Sequence, residues 1–373
     1  MVITINSNKS CRFIPILASV LFFSALLHTS ETITYVREAL MICGNTIIPS
    51  LFPFTVLTGI ITSYSQKGGG KGFFSPVARL FGISTVSLSA LVFGMLCGFP
   101  IGGKIAIDLY KKELISKEEA ERLIAFTGNT GPAFAIGAVG NVILGSTAIG
   151  ALIYFSQIVV SITAGIILGL GKSPEQKRSF SNHGNPDIAK SISDASLSVL
   201  SVCGFVIFFY FTVQSIGAIV PSRTVKLVSA VLLEVSCGAT EAAKLSYPVS
   251  AAAAAFSVGW AGMSVHMQLL SFSSGTGLKM GKYFTVKLLS GLFNFLVVFF
   301  AANLFPVPEK SSLTVFSYVY GNNGRGLALA VLILFTASFI ISKLEKRKNM
   351  CYNVVNRRKR MCKNEKAKRY LGN

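Results

Sequence analysis

The chain has 373 residues, of which 51% are hydrophobic and 13% are charged, and its mean hydropathy is +0.61. Soluble domains carry about 25% charged residues, so this deficit over the whole length argues against a soluble protein and indicates a polytopic membrane protein. The net charge of +20 is uneven, and the stretch 343–373 is strongly basic. We interpret that stretch as a cytoplasmic tail that obeys the positive-inside rule, with no role in nucleic-acid binding.

Apolar stretches near the roughly 20 residues that cross a bilayer define the predicted spans. The first, 13–29, follows Lys9 and Arg12; no small-residue cleavage site comes after it, so we predict an uncleaved span and not a signal peptide. The second, 40–63, has a centre interrupted by Pro49 and Pro53. Further spans are predicted at 119–146, which is interrupted at 128–132, and at 147–171, 190–220, 248–274, 281–305 and 325–343.

Two apolar segments contain a Gly-rich interruption that also carries a lysine. They read Cys97-Gly98-Phe99-Pro100-Ile101-Gly102-Gly103-Lys104 and Cys237-Gly238-Ala239-Thr240-Glu241-Ala242-Ala243-Lys244. The halves of segment 84–110 are too short to cross a bilayer, which predicts a re-entrant hairpin, and we expect a second hairpin at 224–245. Second interruptions follow at 128–132 and 259–264. Non-helical backbone at membrane depth is stable only beside a cavity or inside protein, so two such sets predict a transporter built from repeats.

The distribution of lysine and arginine supports this topology. If neither hairpin crosses the membrane, the basic loops at 67–79, 111–112, 172–178 and 279–282 lie on the same side as the basic tail. Arg223 and Lys226 are exceptions. The hairpins then enter from opposite faces, which predicts an inverted-topology repeat. A capping box at Ser116-Lys117-Glu118-Glu119 predicts the start of a helix in the first repeat.

The predicted organisation has six parts. They are an N-terminal segment with the first span (1–35), a first repeat (36–171), a polar cytoplasmic linker (172–189), a second repeat (190–305), a last span (306–343) and a basic cytoplasmic tail (344–373).

Ionisable groups in apolar segments are the first candidates for a binding site, because each costs at least about 2.5–3.5 kcal/mol on insertion scales. Lys104 is predicted to contact an anionic ligand; the alternatives are snorkelling to the interface or pairing with Asp108 one turn on. Glu241 and Lys244 form either an internal ion pair or a ligand contact. Helix N-termini at the interruptions add partial positive charge. The candidate substrate-binding residues are Gly98, Pro100, Gly102, Lys104, Asn129, Thr130, Gly131, Glu241, Lys244 and Ser264.

Signatures of catalysis and of ATP-driven transport are missing from the sequence. The stretch Gly68-Gly69-Gly70-Lys71-Gly72 has the wrong spacing for a P-loop. No Ser-His-Asp or metalloprotease pattern occurs, and the seven cysteines and three histidines do not suggest a metal site. We therefore predict that the chain is not an enzyme and has no cofactor, while Glu234 and Glu241 are candidates to bind Na⁺ or H⁺ as a coupling ion.

Three motifs of the first half resemble a known family. The stretches 45–54, 97–104 and 129–134 are similar to the YlbJ (SpoVV) family of sporulation integral membrane proteins, whose Gate domain is shared with concentrative nucleoside transporters. The resemblance covers roughly 35–305. It implies an all-α, nucleoside-transporter-like fold with about eight transmembrane helices plus two re-entrant hairpins in an inverted repeat. It also implies homo-oligomers, and a role in moving dipicolinate out of the mother cell across the outer forespore membrane.

These inferences combine into one functional hypothesis. The chain is predicted to be a multi-pass transporter of a small anionic metabolite, with dipicolinate as the expected substrate, in the membrane of a sporulating bacterium with both termini cytoplasmic. Its expected partners are the substrate, the lipid bilayer and other copies of itself, with no nucleic acid. The alternatives are a carrier of nucleosides or related small molecules, and a non-transporting assembly factor of the sporulation membrane.

Overall fold

The computed structural model describes residues 10–65, 75–172 and 188–304, and within these ranges the chain is helical with no strand. The predicted last span, the basic tail and nearly all of the polar linker lie outside the described residues. The all-helical character and the apolar helices agree with a polytopic membrane protein.

The N-terminal part consists of two long helical stretches. Helix α1 is Ser10–Leu27, and α2 (Thr29–Ile42) continues through a π-helical turn, Cys43–Ile47, into α3 (Ile48–Ser65). The wide turn immediately precedes Pro49, whose ring would clash with a carbonyl four residues earlier in a regular helix. We ascribe the π turn to this proline, because a wider turn is one of the ways a helix accommodates such a defect.

The next part of the chain holds the first pair of interruptions. It contains α4 (Ser75–Leu80), a 3₁₀ turn (Thr85–Ser87), α5 (Leu88–Leu96), α6 (Ile101–Lys111), α7 (Lys117–Thr127), a π-helical segment (Ala133–Ile143) and α8 (Thr147–Gly169).

The predicted capping box is half formed at the start of α7. The Ser116 hydroxyl accepts a hydrogen bond from the Glu119 N–H, which confirms the helix start. The Glu119 carboxylate does not reach back to the cap. Its Oε1 instead accepts hydrogen bonds from the Ser84 N–H at 2.7 Å, the Ser84 hydroxyl at 2.8 Å and the Ser87 hydroxyl at 2.5 Å. Glu119 therefore fastens the chain that enters α5 to the start of α7.

The second half repeats the same order of elements. A long helix α9 (Ile188–Ile219) is followed by α10 (Arg223–Leu233), α11 (Val235–Ala242), α12 (Val249–Trp260), α13 (Gly262–Phe272) and α14 (Gly281–Leu304).

The turn between α10 and α11 lies upstream of the predicted interruption. The chain turns at Glu234, whose carboxylate caps α11 by accepting a hydrogen bond from the Cys237 N–H at 2.8 Å. Gly238 lies inside α11, so placing the break at 237–244 was wrong. A Cβ at Gly238 would overlap the Ser257 hydroxyl and approach the Val231 Cα at 2.8 Å. This glycine therefore serves close packing and not chain reversal.

Among the described residues, four helical stretches are long and apolar enough to cross a membrane: Thr29–Thr62, Thr147–Gly169, Ile188–Ile219 and Gly281–Leu304. They correspond to four of the predicted spans. Helices α5, α6, α10 and α11 have 8 to 11 residues each, and at 1.5 Å per residue none of them crosses a hydrocarbon core of about 30 Å. The total of eight spans and the re-entrant course of the two helix pairs stay predictions.

In each half, the turn between two short helices lies against the break in the helix that follows. The turn between α5 and α6 lies against the break after α7, and the turn between α10 and α11 lies against the break between α12 and α13. A Cβ added at Gly98, between α5 and α6, would lie 2.7 Å from the Gly131 backbone nitrogen. A Cβ added at Gly262, between α12 and α13, would lie 3.1 Å from both the Leu233 oxygen and the Val235 nitrogen. Between the halves, one apolar cluster joins residues of the π-helical segment, α8, α11, α12 and α14, so both halves share a core.

Candidate functional site

The break after α7 is held in place by hydrogen bonds from α8. The chain leaves the helix at Gly128, and Asn129 and Thr130 are both buried. The Ser161 hydroxyl donates to Asn129 Oδ1 at 2.5 Å, and the Thr130 N–H donates to Gln157 Oε1 at 3.1 Å. Polar side chains of α8 thus satisfy backbone and amide groups that the interrupted helix leaves open.

Glycines allow the turn between α5 and α6 to approach this break closely. Gly98 has a φ of +87°, which L-residues rarely adopt. A Cβ on Gly94 or Gly102 would overlap the backbone oxygen of Thr127, the last residue of α7. The peptide bond between Phe99 and Pro100 is cis. The candidates Gly98, Pro100, Gly102 and Gly131 therefore shape the backbone around the break.

A lysine that the sequence analysis did not select lies beside this break. Lys287 of α14 is only 2% exposed, and its ammonium is 5.8 Å from the centroid of the Phe99 ring. Its Cε lies 3.5 Å from the position that a Cβ would occupy at Gly128. In the part of the chain that the structure describes, the ion pairs involve other lysines and none includes Lys287. Lys287 is thus a buried lysine without a carboxylate partner among those residues.

Lys287 belongs to a polar stripe on the buried face of α14. Tyr283, Ser290 and Asn294 share this face at spacings of three or four residues, and all are buried. The Ser156 hydroxyl of α8 lies 2.9 Å from Asn294 Oδ1, and Ser156 is the neighbour of Gln157 in sequence. Hydrogen bonds and chain neighbours thus connect Thr130, Gln157, Ser156 and Asn294, and Lys287 lies against Gly128, two residues before Thr130. We call these six residues the polar ring.

Several polar atoms of the polar ring have no hydrogen-bond partner among the described residues. They are Thr130 Oγ1, Gln157 Nε2 and Asn294 Nδ2, and the Ser290 hydroxyl on the same stripe is also unpartnered. Buried polar groups are nearly always hydrogen-bonded, so unsatisfied groups that cluster near an unpaired cation indicate a place for a polar ligand. The excess of donors and the charge of Lys287 favour an anion.

The second break reaches the same helix from the other half. Ala261 and Gly262 both have positive φ, and α13 begins there. On α13, His266 is buried and its Nδ1 lies 2.8 Å from the Tyr283 hydroxyl, one turn before Lys287. The candidate Ser264 is also buried, and its hydroxyl accepts a hydrogen bond from Gln268 Nε2 at 3.3 Å. The two breaks therefore converge on α14.

The two lysines that the sequence analysis named as candidate substrate-binding residues, Lys104 and Lys244, both lie in ion pairs. The Lys104 ammonium is 3.2 Å from Asp108, and the Lys244 ammonium is 2.7 Å from Glu241, which also lies 3.6 Å from Lys226. These pairs correspond to the alternatives considered above, and none of these residues belongs to the polar ring. Their contact with a ligand stays a prediction. Within the described residues, no group of three His, Cys, Asp or Glu side chains could hold a metal ion.

The signal that could have identified Lys287 is its position. It is an ionisable residue inside the apolar segment 281–305, and such residues mark functional sites in membrane proteins. Gln157 and Asn294, which are neutral, gave a weaker signal within their spans.

Comparison with known proteins identifies a relative. The chain is 24% identical over 312 residues to the sporulation integral membrane protein YlbJ of Bacillus subtilis (strain 168), and the match covers 71% of this chain and 76% of that protein. No family model and no solved structure matches the chain. The predicted resemblance to YlbJ is thereby confirmed, and with it a similarity to a sporulation membrane protein. The likeness to the Gate domain stays a prediction.

Proposed function

We propose that this protein transports a small anionic metabolite across a membrane, with dipicolinate as the substrate in a sporulating cell and Lys287 as its cationic contact. The observation that carries the proposal is the buried, unpaired Lys287 beside the break that follows α7. A cation without a counter-ion is costly to bury, and an anionic ligand at the polar ring would supply that counter-ion.

The shape of dipicolinate agrees with this surrounding. It is a small aromatic dianion, so one carboxylate can meet the Lys287 ammonium while the other accepts hydrogen bonds from donors of the polar ring. The Phe99 ring, which lies beside Lys287, offers an apolar surface for the heterocycle. Similarity to a sporulation membrane protein supports the cellular setting, and the outer forespore membrane with cytoplasmic termini is part of the proposal.

The convergence of both breaks on α14 supports transport in preference to scaffolding. A carrier must expose its site to either side in turn, and transporters of repeat architecture place the substrate where interrupted helices of the repeats meet. An assembly factor would have no need for an unpaired buried lysine. Coupling to Na⁺ or H⁺ and homo-oligomerisation complete the proposal and are to be measured separately.

Flux of dipicolinate into proteoliposomes tests the proposal. Lys287→Met keeps the length and apolar stem of the side chain and removes its charge, whereas Lys282→Met removes an exposed charge from the same helix. We expect saturable flux with the wild type and with Lys282→Met, and loss of flux with Lys287→Met. Lys104→Ala measured alongside tests the site predicted from the sequence.

Other results would contradict the proposal in distinct ways. Uridine uptake without dipicolinate flux would favour a nucleoside carrier. Folded wild-type protein that moves neither compound would favour the assembly factor. Normal flux with Lys287→Met would remove Lys287 from the site.

A further inference from the structure

Gln157 supports the chain break that follows α7, and it also has an amide nitrogen that is able to donate a hydrogen bond. It lies in the middle of α8, is fully buried, and its Oε1 accepts the hydrogen bond of the Thr130 N–H. A backbone N–H can only donate, so the oxygen of this amide must face Thr130 and the nitrogen must point the other way. The Gln157 Nε2 is therefore a definite donor, and it has no partner among the described residues.

Gln157 and Lys287 both lie beside the same very short piece of chain. Lys287 is adjacent to Gly128, whereas Gln157 is bonded to Thr130. Two residues of chain span at most about 7 Å between Cα atoms. Lys287 comes from α14 in the second half, and Gln157 comes from α8 in the first half.

We propose that the ligand bridges these two residues and that it is a compact dicarboxylate, with one carboxylate on Lys287 and the other on the amide nitrogen of Gln157. This inference rests on the proposed function and assigns to Gln157 the selection of a second acidic group. A ligand held in this way would join α8 to α14, and so the first half of the protein to the second.

The chemistry of the pair selects against nucleosides. An ammonium and an amide N–H₂ both donate, so they require acceptors on the ligand. A carboxylate offers two acceptor oxygens and no donor, whereas a nucleobase edge presents donors beside acceptors. A nucleoside offers only neutral acceptors, so its hydrogen bonds to Lys287 and Gln157 would be weaker than those of carboxylates. A monocarboxylate would satisfy Lys287 and leave Gln157 without its partner.

The test compares dipicolinate with pyridine-2-carboxylate, which has the same ring and one carboxylate fewer. Each compound is assayed as a competitor of labelled dipicolinate flux in proteoliposomes of the full chain. A hydrogen bond to a charged group contributes about 1.5–3 kcal/mol, or about 10- to 150-fold in affinity. We expect the wild type to prefer dipicolinate by at least about 10-fold on this basis. Equal inhibition by both compounds would overturn the inference without requiring any variant.

Gln157→Glu isolates the role of the amide nitrogen. A glutamate retains the acceptor that Thr130 requires, removes the donor, and places a carboxylate where the second acidic group of the ligand would lie. We expect the affinity for dipicolinate to fall by at least about 10-fold and the preference over the monocarboxylate to disappear. Gln268→Glu, which also buries a new carboxylate but on α13, should leave that preference unchanged.

The outcomes separate this inference from the proposed function. If Lys287→Met abolishes flux while Gln157→Glu keeps wild-type selectivity, Gln157 is only a positioning residue for the break and the inference fails alone. If Lys287→Met transports normally, both fail. If Gln157→Glu does not fold, equal inhibition of the wild type by the two compounds still overturns the inference.

Discussion

Replacing Lys287 with methionine should stabilise the protein and inactivate it at the same time. Helix α14 has 24 residues, or about 36 Å at 1.5 Å per residue, and Lys287 lies six residues after its start. For a helix that is centred in a hydrocarbon core about 30 Å thick and perpendicular to it, the Lys287 Cα would lie about 6 Å inside that core.

The expected gain follows from opposing contributions. Insertion of a lysine costs about 2.5–3.5 kcal/mol at the bilayer centre, so about 1–2.5 kcal/mol is reasonable at this depth. The variant also loses the contact of the ammonium with the Phe99 ring, whose centroid is 5.8 Å away. Because this distance is close to the limit of about 6 Å for such contacts, we assign to it about 0.5–1 kcal/mol and not the ~2 kcal/mol of a close desolvated pair. Methionine fills nearly the same volume and adapts well to irregular packing. The net expectation is a ligand-free protein that is more stable than the wild type by up to about 2 kcal/mol.

Adding the ligand should reverse this order. A ligand at 100 times its dissociation constant stabilises the folded state by about 2.7 kcal/mol, and only the wild type would receive this stabilisation. Unfolding of the purified protein in detergent, with and without dipicolinate, measures both effects. Lys282→Met should match the wild type in both conditions, because a change of an exposed charge usually alters stability by less than about 0.5 kcal/mol.

Two results would refute this reasoning. A loss of stability in ligand-free Lys287→Met would mean that the lysine is already satisfied, which contradicts an unpaired cation. Equal stabilisation of the wild type and of Lys287→Met by dipicolinate would place the ligand elsewhere.

Two further predictions concern packing and the anchoring of α5. Gly102→Ala should destabilise the protein by about 1–3 kcal/mol, because its Cβ would overlap the Thr127 oxygen. The control Gly204→Ala has open space around it in α9 and should be neutral or stabilising by up to about 1 kcal/mol. Unfolding in detergent measures both variants, and equal effects would contradict the close approach of Gly102 to Thr127. Glu119→Ala should cost about 2–4 kcal/mol because three buried donors lose their acceptor, and unchanged stability would contradict this anchor.

Local sequence patterns were sufficient to place most elements. Hydropathy and length predicted the spans at 147–171, 190–220 and 281–305, which correspond to α8, α9 and α14. Ser116 marked the start of α7, and the glycines and proline of 128–132 marked its interruption. These features depend on propensity and on hydrogen bonds between residues close in sequence, so neighbouring residues are enough to reveal them.

Other features depended on residues that are distant in the chain. A glycine pattern cannot distinguish a turn from a close helix contact, and Gly238 proved to be the latter because Ser257 and Val231 lie against it. Likewise, a capping box is a local motif, yet Glu119 bonds to Ser84 and Ser87 on another element.

The composition and hydropathy of the chain determined by themselves that it is a helical membrane protein with interrupted segments. Only the tertiary structure decided which charges are paired. Lys104 has a carboxylate four residues away on its own helix and Lys244 has one three residues before it, at the end of α11, whereas Lys287 has none nearby in sequence and lies against Phe99 and Gly128 from distant segments. The physical reason is that burial and pairing of a charge are set by every element packed around it, and the sequence of one helix reports only that helix.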